Sequence, residues 1–289
     1  IRRIVFSNIP IYVYNDIKIN KNTSVFHNNY LKLRIKNIPV LGMKNNNLFF
    51  KESDDKNLND DDDDQLDFQD NLDFSINENV NISSLNQLTM YLEKTNDTNE
   101  IITATTDDAK FYIAQKNIPS PYKTPIPIVD LQPSQEIILT AVTKLGIEKK
   151  SSIYSPVSVN FYKKNKENDF DYILESRGQL SETRILEVAL ENLNKQLEEL
   201  SEKIPEGKGI EDKLVIPNAD HTLGNLISNA MYNHPSVNFS GYNMPHPLDE
   251  KIVITYKLKN GNLKKIMKEV INYYINLNNK LKKEISNIK

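Results

Sequence analysis

The chain has no cysteine and no tryptophan among its 289 residues, and it has only four scattered histidines. Without thiols it can form no disulfide, no iron–sulfur cluster, no thiolate zinc site and no cysteine nucleophile. No apolar run approaches the roughly 18 residues typical of a transmembrane helix, and no signal peptide is recognisable. These absences exclude thiol chemistry and most zinc chemistry, and they suit a reducing compartment.

Hydrophobic residues are also few, at 38%, against 26% charged residues. The length allows about two domains. Such a composition fits a chain in which one segment is disordered and the rest builds modest cores. The first residue is Ile1 rather than Met, so we expect the natural N-terminus to lie upstream.

Acidic residues concentrate in one tract. Between Asp54 and Asp73 there are ten Asp and one Lys, a local charge of −9, which leaves the rest of the chain at +6 within a net charge of −3. The tract is too poor in apolar residues to pack, so we predict a solvated, disordered loop at about 52–80. Calcium binding is the alternative, but the ligand spacing of an EF-hand is missing. Because a negative loop repels phosphate, we expect little or no direct contact with nucleic acid.

Strand-like runs dominate the first part of the chain, after a helix end at IRRIVFSN. The predicted strands lie at 9–19, 38–43, 101–106, 110–115, 125–131, 136–142, 155–162 and 171–175. Farther on, the sequence predicts a strand at KLVIPN, a short helix from His221 with Asp220 as its N-cap, and strands at VNFSGYN and KIVITYKL.

Two long amphipathic helices are also predicted, separated by a linker at 204–210. The first follows Ser181 as N-cap and carries an apolar stripe. Its members are Leu186, Ala189, Leu193, Leu197 and Leu200. The last helix repeats apolar residues from Leu263 to Ile285 in steps of three and four, the spacing of a seam that packs on another helix. A faint repeat accompanies them, because IRRIVFSNIP (1–10) aligns with LISNAMYNHP (226–235). The sequence therefore predicts twice a helix that ends in N-x-P and is followed by a strand.

The segment NTSVFHNNYLKLRIKNIPV (22–40) resembles a signature of the RNA polymerase alpha family, and specifically of the third subunit of eukaryotic RNA polymerase II. The best-kept positions are Asn22, Thr23, Ser24 and Pro39, with Arg34 between them. Four further blocks resemble the same subunit in the same order: TATTDDAKFY, DLQPSQEIILTA, LGIEKKSSIYSPVSVNFY and ESRG. In the last 79 residues, ADHTLGNLI and GYNMPHPLDEKIVITYKL resemble the eleventh subunit. The presence of both subunit-like regions on one chain resembles the fused form of the two subunits that large DNA viruses encode.

This resemblance implies an α+β fold with two alpha-type dimerisation modules. Residues 1–43 and 169–203 would form the third-subunit-like module, interrupted by a β-rich insert domain at 44–168 that is held by its own strands. Residues 211–289 would form the eleventh-subunit-like module. The zinc site common in the third subunit is absent because there is no cysteine, so no cofactor is expected.

The implied function is a non-catalytic assembly platform of a multisubunit DNA-directed RNA polymerase. Its partners would be the largest and second-largest subunits and small tenth- and twelfth-type subunits, with no membrane. It would work inside the cell, at a viral replication site or in a virion if viral, and otherwise in the nucleus. Arg2, Arg3 and Arg34 are the expected docking residues for the large subunits. The resemblance places the Arg2–Arg3 helix end near the surface that receives the second-largest subunit, and guanidinium groups suit interface ion pairs. The alternative for this Arg pair is a solvated helix face. The expected pseudo-dimer seam comprises Ile1, Val5, His221, Leu223, Gly224, Leu226, Ile227, Leu263, Met267, Val270, Tyr274 and Leu277. Gly224 would let another helix approach closely.

Two alternatives stay open. The first is a free-standing interaction scaffold of the same fold without a polymerase. The second, less favoured, is a metal-dependent enzyme that uses Asp107, Asp108 and the acidic tract. The simpler interpretation of the Asp pair is a charged turn at a strand end.

Overall fold

The computed structural model describes residues 1–43, 87–114, 116–167, 169–204, 209–246 and 251–288. The predicted acidic loop and most of the predicted linker lie outside these residues. The chain divides into two compact units, one made of Ile1–Val5 and Thr183–Lys289 and the other of Phe6–Glu182. Helices and strands both occur in quantity, which confirms the predicted α+β class.

The elements of the 6–182 unit are mostly antiparallel strands, preceded by helix α1 (Arg2–Ser7), which begins in the other unit. They are β1 (Ile11–Asn22), α2 (Asn28–Lys36), β2 (Leu88–Thr95), β3 (Ile102–Thr105), β4 (Ala109–Ile113), β5 (Lys116–Ile118), β6 (Pro127–Leu131), β7 (Glu136–Gly146), β8 (Val157–Lys166) and β9 (Asp169–Ser176). Five of these strands form a sheet in the order β1-β7-β2-β4-β5, while β3 pairs with β6 and β8 with β9.

The core of this unit joins the first strand to the strands of the predicted insert. Strand β1 pairs with β7 from Ile11↔Gly146 to Asn22↔Ile137, and β7 pairs on its other side with β2. Tyr14 from β1 and Leu31 from α2 lie in the same buried cluster as Met90 from β2. The strands of the predicted insert thus share their sheet with β1 and their core with β1 and α2.

Residues 28–43 also differ from the prediction. Asn28–Lys36 is a helix that the sequence analysis missed, because only Leu31 and Ile35 of its residues are buried and two positions define no clear stripe. The predicted strand at 38–43 is not formed. Pro39 has no N–H to donate to a sheet, and Gly42 adopts a left-handed φ of +78°, so the backbone turns instead of extending.

The other unit combines three helices with a small antiparallel sheet. Its elements are α3 (Glu182–Glu202), which starts at the boundary, then β10 (Glu211–Pro217), α4 (His221–Tyr232), β11 (Val237–Asn243), β12 (Lys251–Leu258) and α5 (Leu263–Ser286). The sheet order is β10-β12-β11. Alternate residues of β12 are buried, as expected for a strand with one face against a core.

Helix α4 packs on β11, β12 and α5. The structure contains a helix followed within a few residues by a strand at both copies of the sequence repeat, as α1–β1 and as α4–β11. None of the helices in the described ranges is long and apolar enough to cross a membrane.

Candidate functional site: the helix-pairing surface and docking residues

All the predicted seam residues lie in the compact unit that contains α3, α4 and α5. Most of their side chains are buried there, which agrees with a packing role. The buried members are Val5, Leu223, Gly224, Ile227, Leu263, Met267 and Val270. The seam as an interface between two modules remains a prediction.

The remaining seam residues are more exposed. Leu226 and Tyr274 are half-buried and His221 is exposed, while Ile1 and Leu277 have relative exposures of 41% and 38%. Along α5 the face that stays buried passes through Ile271 and Asn278 instead of Tyr274 and Leu277. A stripe with a seven-residue repeat drifts by about 20° per heptad on a straight helix, so its later members turn away from the core.

The start of α4 is fixed by a side-chain cap. Asp220 Oδ1 accepts hydrogen bonds from the backbone N–H groups of Thr222 (2.9 Å) and Leu223 (3.2 Å), which confirms the predicted N-cap. The ring of the neighbouring His221 lies edge-on to Tyr242, with Nδ1 3.5 Å from the tyrosine hydroxyl. This histidine thus contacts an aromatic residue of strand β11.

Gly224 has a different neighbour from the one predicted. A Cβ built on this residue would lie 2.5 Å from Cδ2 of Tyr242 and 3.1 Å from its Cγ. The group that requires glycine is therefore an aromatic ring of the sheet and not a second helix. A glycine inside an amphipathic helix predicts a close approach by another group, but which group approaches depends on tertiary packing.

Helices α3 and α5 are joined by polar side chains that the sequence analysis missed. The amide of Asn278 donates to Asn194 Oδ1 at 2.7 Å, and the amide of Asn194 donates to Asn279 Oδ1 at 3.1 Å. Lys282 forms an ion pair with Glu191. In the sequence, these polar residues lie at helical spacing beside an apolar stripe. Such a pattern usually indicates the solvent-exposed face of a helix, so it does not by itself predict a helix–helix contact.

Arg2 and Arg3 lie in the first turn of α1 with exposed side chains, whereas Ile4 and Val5 are buried. The short helix thus has one face in the core and presents its two cations on the surface. The docking role of the two arginines stays a prediction.

Arg34, the third expected docking residue, is bound into its own domain. Its guanidinium group lies 5.7 Å from the ring centre of Phe26 and 5.9 Å from that of Tyr30, and Nη2 donates to the carbonyl of Pro127 at 3.3 Å. The bond to Pro127 connects α2 with β6, while the two ring contacts are local to α2 and the turn before it. Arg34 as a whole is half-buried.

The signature residues Asn22, Thr23 and Ser24 build the turn between β1 and α2. The amide of Asn22 donates to the carbonyl of Phe26 at 2.8 Å, and its Oδ1 accepts from the N–H of Ser24 at 3.0 Å. Thr23 exchanges hydrogen bonds with the backbone of Glu136 on β7. The pattern is an asparagine-centred turn, and it fixes where α2 begins.

Pro39, the last signature residue, takes part in a buried hydroxyl chain. Its carbonyl accepts from the hydroxyl of Tyr122 at 2.9 Å, and Tyr122 lies 3.1 Å from the hydroxyl of Tyr14. Burial raises the pKa of Tyr122 to about 12. Burial together with the neighbouring Tyr122 raises the pKa of Tyr14 well above its ordinary value. Both phenols therefore stay protonated and keep the loop after α2 attached to the core.

A similar asparagine-centred turn occurs at Asn96, and here the asparagine itself is fully buried. Its amide donates to the carbonyls of Glu100 (2.7 Å) and Leu131 (2.8 Å), and its Oδ1 accepts from the N–H of Thr98 (2.9 Å). We predict that Asn96→Ala lowers the free energy of unfolding by about 2–3 kcal/mol, because the buried carbonyl of Leu131 loses its donor and the turn loses its two other hydrogen bonds. Asn22→Ala should cost less, since water can replace its bonds at the surface. Urea unfolding of both variants measures the difference, and equal losses would contradict this account.

The Asp107–Asp108 pair belongs to a one-turn 3₁₀ helix, Thr106–Asp108. Asp108 accepts from the backbone N–H of Thr105 at 2.9 Å and pairs with Lys94 at 2.6 Å. Burial raises the pKa of this carboxyl, but the hydrogen bonds from Lys94 and Thr105 outweigh it and lower the pKa. The carboxylate is thus a helix cap and ion-pair partner. Among the residues that the structure describes, no group of three or more acidic or histidine side chains could hold a metal ion.

Comparisons with known proteins agree with the C-terminal architecture. Residues 212–284 match the family model described as the RNA polymerase Rpb3/Rpb11 dimerisation domain. A DNA-directed RNA polymerase subunit of Acanthamoeba polyphaga mimivirus is 30% identical over 54% of this chain and 46% of its own length. An RPAC2 subunit of RNA polymerases I and III from Caenorhabditis briggsae is 42% identical over 17% of this chain and 33% of its own length.

The RPB11 subunit of RNA polymerase II from the same nematode is 39% identical over 18% of this chain and 49% of its own length. The chain thus spans half or less of the length of each of these relatives. The predicted resemblance to RNA polymerase subunits, including a viral one, is confirmed, and it extends to the region predicted to be like the eleventh subunit. The chain is thus similar to alpha-like, Rpb3/Rpb11-type subunits of RNA polymerase, and its residues 212–284 match the dimerisation domain of that type.

Proposed function

We propose that this chain is a non-catalytic assembly platform of a multisubunit DNA-directed RNA polymerase. It pairs two alpha-like modules within one polypeptide and docks the largest and second-largest subunits. The observation that carries the proposal is the dimerisation domain at 212–284, whose helix α5 is bonded to α3, a helix outside the matched segment. A dimerisation domain that finds a partner helix in its own chain is what a fused pair of subunits requires.

The proposed organisation is a third-subunit-like module at 1–43 and 169–203, a β-rich insert at 44–168, and an eleventh-subunit-like module at 211–289. The repeated order of helix and strand in α1–β1 and α4–β11 supports two related modules. Covalent linkage raises the effective concentration of each module near the other, so their pairing does not depend on protein concentration.

The docking proposal rests on the charge and exposure of α1. Arg2 and Arg3 are exposed at the start of a helix whose other face is buried. Guanidinium groups form planar, bidentate pairs with carboxylates, and such pairs are common anchors in protein interfaces. We assign this surface to the second-largest subunit. Arg34 is proposed to act with them, although its contacts with Phe26, Tyr30 and Pro127 also give it a role in its own fold. The smaller tenth- and twelfth-type subunits complete the proposed set of partners, and the proposed location is intracellular.

The test is an affinity pull-down of the tagged chain from its native source or a reconstituted mixture, with mass spectrometry of the retained proteins. We expect both large subunits in stoichiometric amounts. Charge reversal in Arg2→Glu/Arg3→Glu should reduce retention at least tenfold, because attractive ion pairs become repulsive.

A matched control reverses two exposed cations on α5, in Lys280→Glu/Lys283→Glu, and should leave retention unchanged. If both double variants retain the large subunits as the parent does, the docking assignment is wrong while the platform role stands. If the parent itself retains neither large subunit, the polymerase role is wrong and a free-standing scaffold becomes the better account.

A further inference from the structure

The contact between α3 and α5 contains a layer of polar side chains, which we call the polar layer: Glu191, Asn194, Asn278, Asn279 and Lys282. Residue 191 of α3 meets residue 282 of α5, and residue 194 meets residues 278 and 279. The earlier residue of α3 contacts the later residue of α5, and the later residue of α3 contacts the earlier residues of α5. The two helices are therefore antiparallel at this contact.

The polar layer is set into a largely apolar surface. Leu190, Leu193 and Leu197 of α3 are buried around it, and so is Ile271 of α5. Asn278 itself is only 4% exposed although it is polar. The carboxylate of Glu191 has one oxygen paired with Lys282, while its other oxygen is buried without a hydrogen-bond partner among the described residues.

Such a layer contributes little net stability. Removing a carboxylate and an ammonium group from water costs free energy that their mutual attraction only partly returns, and apolar residues of similar size often stabilise more. Polar residues within an apolar helix contact have a better-attested effect, which is to select one register and one partner, since every other arrangement leaves them unpaired.

The arrangement of charge in the polar layer distinguishes the two helices. The acid is on α3 and the cation is on α5, so an α3–α3 contact through these faces would bring carboxylates together and an α5–α5 contact would bring ammonium groups together. A slip by one helical turn would leave Glu191 opposite Asn278, without its cation. Only the antiparallel α3–α5 pair satisfies both the ion pair and the asparagine bonds.

We propose that the polar layer is the specificity determinant that makes α3 pair with α5 and rejects pairing between identical helices of different copies. This rests on the proposed function, because a fused pair of dimerisation modules has to avoid self-association through like helices. The polar layer acts by rejecting those competitors. Covalent linkage then favours the α5 of the same chain through its high effective concentration.

A charge-reversal cycle on the full chain tests the ion pair. We expect the parent to be a monomer of 33.3 kDa by light scattering. Glu191→Lys and Lys282→Glu should each lower the unfolding midpoint by about 5 °C and raise the dimer fraction, because each places two like charges together at a partly buried contact. The double reversal Glu191→Lys/Lys282→Glu should restore both the midpoint and the monomer. If a single variant does not fold, the double reversal still tests the ion pair. A double variant that recovers neither the unfolding midpoint nor the monomer would overturn the proposal.

A second variant separates specificity from stability. Asn194→Leu/Asn278→Leu removes the asparagine bonds and leaves the ion pair. We expect an unfolding midpoint equal to or above that of the parent, together with a dimer fraction that rises with concentration. A lower midpoint with an unchanged monomer would mean that the layer serves stability alone, and a dimeric parent would also overturn the proposal. None of these measurements needs another polymerase subunit, so their failure is distinct from failure in the pull-down.

Discussion

Replacing Ile227 by Ala is expected to lower the free energy of unfolding by about 2–5 kcal/mol. Ile227 has no exposed surface and lies on the buried face of α4, between Leu223 and Met231. Because α4 packs on two strands of the sheet and on α5, the removed atoms leave a cavity that no single element can close. The cost is the lost burial of the side chain plus the cost of that cavity.

The preceding residue supplies a matched control. Leu226→Ala removes the same number of carbon atoms from the same helix, but its side chain is only half-buried. Its expected cost is below about 1.5 kcal/mol, since part of the side chain already contacts water. Urea unfolding followed by circular dichroism measures both. Equal losses would mean that α4 does not present Ile227 to the core as described.

Gly224→Ala is the second large effect, with an expected loss of about 1–3 kcal/mol. The added methyl group would overlap the ring of Tyr242, which must move away from α4 or push the helix outward. The helix propensity of alanine favours the change by up to about 1 kcal/mol, so a net loss can come only from the overlap.

The ring can be removed to test this cause. In a Tyr242→Ala background, Gly224→Ala should become neutral or stabilising, and the double-mutant cycle should give a coupling free energy above about 1 kcal/mol. Gly209→Ala is the control, because the nearest atom to its Cβ would be 4.0 Å away. A Gly224→Ala loss that persists without Tyr242 would support the earlier prediction that another helix approaches this glycine.

The C-terminal elements could be predicted because their local signals agree with their packing. The cap Asp220, the apolar residues of α4 and the alternation in β12 each point to the element that forms. The same holds for α3, where Ala189, Leu193, Leu197 and Leu200 are all buried as the stripe predicts. Helix α2 could not be predicted, because two buried residues one turn apart are also compatible with a loop or a strand.

Features that depend on partners distant in the sequence were beyond prediction. The pairing of β1 with β7 joins residues more than a hundred positions apart, so the boundary of the insert in the sequence is not a boundary of the core. Tyr242 above Gly224 and Lys282 opposite Glu191 are contacts of the same kind. Residue type and spacing indicated that α5 has a packing face, but only the fold shows that Asn278 lies on it while Leu277 is 38% exposed.

The proposed function requires this chain to bring the large subunits of a polymerase together. The most direct test mixes the purified largest and second-largest subunits with and without the chain and measures the mass of the complexes by mass photometry. The account predicts a stable ternary complex that forms only when the chain is present, and in which each component occurs once. Association of the two large subunits to the same extent without the chain, or a complex that excludes it, would contradict the account.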